Sequence, residues 1–202
     1  VLKTHTLYPV HTYGSAMAPL FTSLALWVGA FMLMVLIKLE VDDEGLAGRH
    51  VTMNQTYMAR WLLLVMIAGL QGLVCSISDL VIGVQTVNAP LFVFTAWFTS
   101  LVYVSIAYAL SATFMHVGKA LVVAMVMLQI PGASGLYPIE MMPHFYRALY
   151  PLFPFTYSID AFRETIGGFY DGHWGKVMLT LLLFVAISFA IGLGLRPLMS
   201  NF

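Results

Sequence analysis

Charge is missing from this chain over stretches too long for any water-facing surface. No Asp, Glu, Lys or Arg falls between Lys3 and Lys38, between Arg60 and Asp79, between Asp79 and Lys119, or between Lys176 and Arg196. A helix that crosses a hydrocarbon core of about 30 Å needs about 20 predominantly apolar residues. Four stretches meet that length, at about 17–38, 60–82, 89–113 and 176–196. In hydrocarbon no water satisfies the backbone, so runs of this length must close their hydrogen bonds internally as helices. Charged residues are 9% of the 202, where soluble domains carry roughly 25%. The nine acidic and nine basic side chains cancel, which gives no reason to expect nucleic acid or acidic substrates as partners. The reading is an all-α, polytopic transmembrane bundle that forms a single domain.

A fifth apolar stretch, about 115–131, is less regular. From Gly118 to Ile130 it offers only about 20 Å of helix rise, and Pro131-Gly132-Ala133-Ser134-Gly135 stops it. It is read as a fifth span ending in a broken turn, tolerable at membrane depth only against protein or a wet cavity. Prolines 138, 143, 151 and 154 then punctuate short apolar segments over about 139–168. Pro143 suits a first helical position, followed by a face of Met142, Phe145, Tyr146 and Leu149. After Pro154, Thr156 is expected to cap a helix with the stripe Phe155, Ile159, Phe162 and Ile166, with Asp160, Arg163 and Glu164 on the other side. Gly167 and Gly168 would end it. Both segments read as short interfacial or re-entrant helices before the last span.

Small residues recur at every fourth position: Ala68, Gly72 and Ser76; Ser105, Ala109 and Thr113; Ala186, Ala190 and Gly194. Such ladders let helices approach closely in lipid, within a subunit or between two. Asp79 interrupts an apolar run, and an intramembrane carboxylate is a functional candidate. The plainer reading is that it reaches the far headgroup region. Asp42, Asp43, Glu44 and Arg49 form a charged loop between the first two spans, whose spacing matches no calcium loop. His116 and His144 lack the company of a catalytic or metal motif, and no phosphate-cradling Gly-rich loop occurs. Nothing therefore points to an enzyme, a metal or a cofactor. Cys75 has no partner for a disulfide. Lys and Arg favour, by a small excess, a chain that enters from outside, with 39–59 and the C-terminus cytoplasmic.

Two stretches carry a resemblance. Pro9-Val-His-Thr-Tyr-Gly-Ser-Ala-Met-Ala-Pro-Leu-Phe-Thr-Ser-Leu-Ala-Leu-Trp-Val-Gly-Ala30 resembles the membrane re-entry of the YhgE/Pip (phage infection protein) family. The segment Gln129-x-x-Gly132-x-x-Gly135 is similar to that family's glycine turn. It is followed by Pro138, Glu140, Pro143, Pro154 and the Arg163-Glu164 pair before Gly167. The chain departs from the family in having Pro131-Gly-Ala-Ser-Gly135 where a Ser-Gly-Gly run is expected. The resemblance implies the C-terminal membrane half of a larger bacterial cell-membrane protein, with an N-terminal span and a large extracellular region before it. It also implies likeness to the membrane domains of type-2 ABC exporters, which are homodimers served by a separate ATPase. On that architecture Asp42, Asp43, Glu44 and Arg49 would contact the ATPase, and residues 129–167 would roof an exit path. Two other readings stay open: a receptor scaffold for phage or bacteriocin docking without transport, and a type VII secretion-type component.

Overall fold

The computed structural model describes Lys3, residues 5–37 and residues 52–199. Among these, the chain forms seven α-helices: α1 (Tyr13–Leu36), α2 (Met53–Ile82), α3 (Ala89–Phe114), α4 (His116–Gly132), α5 (His144–Leu149), α6 (Pro154–Gly167) and α7 (His173–Met199). Short 3-10 turns at Ile139–Met141 and Tyr150–Leu152 flank α5.

Four of these, α1, α2, α3 and α7, are long and apolar enough to cross a membrane. The expected fifth span is α4, whose 17 residues rise only about 25 Å. It starts at His116, separated from α3 by Met115 alone, which adopts φ 57°. α2 begins at Met53, about seven residues before the start expected from the apolar run at 60. Thr52 and Gln55 form a reciprocal capping box that starts it, with the Thr52 hydroxyl accepting from Gln55 N–H and the Gln55 side chain accepting from Thr52 N–H. At its other end Gly83 takes a left-handed conformation (φ 104°), and Asn88 caps α3 by accepting from Leu91 N–H.

α3 is the hub, touching α1, α2, α4, α6 and α7. Val102 to Ala109 are buried without a break, so no face of this stretch meets lipid. The peripheral helices behave differently. Along α2, Leu62, Met66, Leu70, Val74, Ile77 and Val81 are exposed, as are Leu179, Leu183 and Ile187 on α7. Exposed apolar stripes at this spacing would be a liability in water and are what hydrocarbon solvates.

The ladders have different surroundings. Ala68, Gly72 and Ser76 are buried against α3. There Ser100 hydroxyl donates to Ala68 carbonyl, and Trp61 Nε1 donates to Ser105 Oγ at 2.8 Å. Ser105, Ala109 and Thr113 are buried in the hub itself. Ala186, Ala190 and Gly194 are exposed on the outside of α7.

Candidate functional site

The segment from Gln129 to Gly168 does not lie flat on the bundle. α6 opens on Pro154, whose absent N–H is no loss at a first helical position. Its stripe of Phe155, Ile159, Phe162 and Ile166 is buried to 2% exposure or less, so the helix is driven into the protein by the periodicity visible in the sequence. It packs on α1, α3 and α7, with Phe162 against Phe92.

Two expectations for α6 are corrected. Thr156 does not cap it: the residue sits inside the helix and donates to Tyr150 carbonyl at 2.8 Å. The capping position falls to Phe153, which has no side-chain acceptor. The helix end is served instead from α4, where buried Gln129 Oε1 accepts from Phe155 N–H at 3.0 Å. Glu164, expected on the outer side with Asp160 and Arg163, is buried, and its Oε2 accepts from Tyr170 N–H at 2.9 Å. The chain doubles back after Gly168 (φ 137°), which brings that amide to the carboxylate.

The remaining motif residues divide into two groups. Gln129, Gly132, Gly135, Pro154 and Arg163 form one assembly. Arg163 Nη2 donates to Ser134 carbonyl at 2.6 Å, and Nη1 lies 3.9 Å from Asp160. A Cβ at Gly135 would come within 2.6 Å of Leu20, and one at Gly132 within 2.6 Å of Phe153, so the turn after α4 is pressed onto α1 and the start of α6. Pro131 is accommodated within the last turn of α4. Pro138, Glu140 and Pro143 stand apart and are exposed. Pro143 precedes α5 as its cap rather than occupying the first helical position. Of the face expected there, Phe145 is 57% exposed, while Met142, Tyr146 and Leu149 are half-buried.

Asp160 also lies 3.9 Å from His173 of α7. Burial pushes its carboxyl above the usual carboxylate range, opposed by Arg163 and His173. Asp79 is half-buried near the end of α2, and Thr22 Oγ1 of α1 donates to it at 2.6 Å. Asp42, Asp43, Glu44 and Arg49 lie outside the described residues.

Three features had no local signal in the sequence. Gln85, in the turn between α2 and α3, is a clasp. It receives His11 N–H on Oε1 at 3.0 Å, donates from Nε2 to Pro9 carbonyl at 2.8 Å, and donates its backbone N–H to Ser15 Oγ at 2.9 Å. Beside it Val87 N–H donates to Thr165 carbonyl at 2.8 Å, tying the same turn to α6. The second feature is a knot of rings, Trp27 of α1, Tyr103 of α3 and Phe155 of α6, with centroids 5.1–5.6 Å apart. Trp27 Nε1 donates to Val122 carbonyl of α4 at 3.1 Å, so four helices meet there. Along α3 and at the end of α4, Thr99 Oγ1, Ser111 Oγ, Thr113 Oγ1 and Gln129 Nε2 are buried without a hydrogen-bond partner among the described residues. Third, a cleft of about 360 Å³ opens between the lead-in to α1 and the end of α6. Tyr8, Val10, Ala16, Pro19 and Ile166 supply apolar wall, and Ser15, Arg163 and Glu164 supply polar groups.

Residues 4–195 match the family described as ABC-2 family transporter protein. The chain is 27% identical over 191 residues to "Uncharacterized protein YhgE" of Bacillus subtilis (strain 168), an alignment covering 92% of this chain and 24% of that protein. It therefore spans about a quarter of the length of this relative. No solved structure matches it. With the match running through every crossing helix and the α4–α6 assembly, the chain belongs to the ABC-2 transporter family and is a multi-pass, permease-type membrane component.

Proposed function

We propose that the chain is the membrane domain of an exporter that moves a substrate outward and takes its energy from a separate ATPase. The supporting observation is the set of buried polar atoms without partners among the described residues: Thr99 Oγ1, Ser111 Oγ, Thr113 Oγ1 and Gln129 Nε2. An unsatisfied polar group away from water costs about 1–3 kcal/mol, and one such group in a native core calls for an explanation. Four in one bundle fit a protein whose interior meets water or a polar cargo during its cycle. In this reading α6 and the turn after α4 close the outer end of the path. The charged loop with Asp42, Asp43, Glu44 and Arg49 faces the cytoplasm and receives the ATPase, the C-terminus is cytoplasmic, and two copies work as a homodimer.

Replacing Asp42, Asp43 and Glu44 together with Asn and Gln is the test, read by ATPase copurification from membranes and by efflux from cells. Loss of both is the expected result. If copurification and efflux both match wild type, the permease reading fails. A membrane anchor for a receptor is the second reading, favoured by the relative's length beyond the matched quarter. It predicts that no ATPase copurifies with the full-length protein.

A further inference from the structure

The charges around the cleft do not balance. Arg163 is matched, since its guanidinium donates to Ser134 carbonyl and lies 3.9 Å from the Asp160 carboxylate. Glu164 is not. It is only 9% exposed, lines the cleft, and among the described residues has one backbone N–H, that of Tyr170, and no cation within ion-pair distance. A buried carboxylate needs either a charge partner or a full set of donors. The Tyr170 amide serves Oε2, which leaves acceptor capacity on the carboxylate. Apart from Ser15, whose hydroxyl oxygen accepts from Gln85 N–H, the rest of the wall is largely apolar: Val10 and Tyr8 on the lead-in, Ala16 and Pro19 on α1, Ile166 on α6. A pocket with an apolar body and one unmatched negative group recognises a ligand of the complementary kind.

We infer that this cleft binds an amphiphile whose head carries a primary amine, the ammonium meeting Glu164 and the apolar part lying along Ala16 and Pro19. The site sits where α1 begins, beside the Gln85 clasp that holds Pro9 and His11. Occupancy would therefore fasten the lead-in to α6. The ligand chemistry is shared by aminophospholipids of the bilayer and by soluble cationic amphiphiles. The inference concerns binding and does not rest on the exporter reading.

The test uses the full-length protein purified in dodecyl maltoside. Binding of dodecylamine is compared with that of dodecanol, and retention of phosphatidylethanolamine with that of phosphatidylglycerol, by native mass spectrometry. Dodecylamine is expected to bind at least about tenfold more tightly than dodecanol, the scale of one charge-assisted hydrogen bond, and Glu164→Gln to abolish that difference. Gln keeps an acceptor for Tyr170 N–H, so the turn after Gly168 stays closed. As a second variant Gly167→Leu fills the cleft. A Cβ there meets Tyr8 no closer than 3.7 Å, so the fold has room for the first atom of the side chain. Both probes should weaken in it. A preference for phosphatidylethanolamine that Glu164→Gln removes identifies a bilayer lipid as the source. Discrimination for dodecylamine with the two lipids held alike identifies a soluble amphiphile. Equal binding of dodecylamine and dodecanol overturns the site, as does discrimination that survives Glu164→Gln or binding that Gly167→Leu leaves untouched.

Discussion

Replacing Gly72 with Ala probes the seam that holds α2 to the hub. A Cβ at this position would lie 2.9 Å from Ala96 carbonyl oxygen, 3.0 Å from Ser100 Cβ and 3.1 Å from Trp97 Cα, where ordinary contact begins near 3.4 Å. Two of these three atoms are backbone, so no rotamer change relieves the clash, and the helices must part by a few tenths of an ångström. Such overpacking costs about 1–3 kcal/mol. Parting also loosens the bond from Ser100 hydroxyl to Ala68 carbonyl, and interhelical hydrogen bonds in membranes average about 0.6 kcal/mol. Against this, Ala is the better helix former by up to about 1 kcal/mol. The net expectation is a loss of about 1–2 kcal/mol, or roughly 2–8 °C in midpoint for a chain of this size. Gly175, in the first turn of α7, has open space around it and serves as the control. There only the propensity gain acts, and Ala should be neutral or stabilising by up to about 1 kcal/mol. The assay is thermal unfolding of the two variants and wild type in the same detergent. If Gly72→Ala unfolds at or above the wild-type temperature, or both variants shift alike, α2 and α3 are not packed on backbone contact at this position.

Gln129→Leu should destabilise by about 1–3 kcal/mol, because it leaves Phe155 N–H buried without an acceptor, partly offset by removing the unpartnered Nε2. Denaturant titration in micelles measures it, and proteolysis within 133–153 should rise in parallel. Arg163→Lys should lose most of the Arg163 contribution despite keeping the charge, since one ammonium cannot both donate to Ser134 carbonyl and face Asp160 with the planar geometry seen here. Thermal stability equal to wild type would contradict that geometry. Asp160 has a folded pKa raised by burial, so its contribution to stability is full below the unfolded value near 4 and is lost as pH rises through the raised value. Asp160→Asn should therefore remove this decline. The wild-type-minus-variant difference in unfolding midpoint should fall as pH increases across that window, and a rising difference would refute the assignment.

What could be read from the sequence was whatever lipid or local periodicity imposes. The charge gaps located α1, α2, α3 and α7 because hydrocarbon rejects charge wherever it is placed along a helix. The α6 stripe was visible because Phe155, Ile159, Phe162 and Ile166 follow the 3.6-residue repeat. The start of α2 was missed because Thr52 and Gln55 act through a cap, which hydropathy does not register. Gln129 reaching Phe155, and Gln85 reaching Pro9 and Ser15, are bonds across 26 to 76 positions of chain, and no spacing rule encodes them. Glu164 looked like its neighbours because its burial depends on the chain reversing after Gly168 and delivering Tyr170 N–H.

The two small-residue ladders on α2 and α7 show most directly where periodicity stops being informative. Ala68-Gly72-Ser76 and Ala186-Ala190-Gly194 have the same spacing and nearly the same side chains. The first is buried on α3, and the second faces outward on α7. The difference comes from the partner and not from the ladder. On α3 the facing residues are Ala96, Trp97 and Ser100, a small–large–small surface with a hydroxyl placed to reach Ala68 carbonyl. α7 turns a different face to α3: Thr95 accepts from Trp174 Nε1 at 3.0 Å, and Val177, Met178 and Leu181 are buried. Nearer its C-terminal end Gly192 is closed on by Tyr57 of α2. Those contacts fix the rotation of α7 and carry Ala186, Ala190 and Gly194 to the far side. A ladder permits close approach, and the large side chains beside it decide whether the approach takes place.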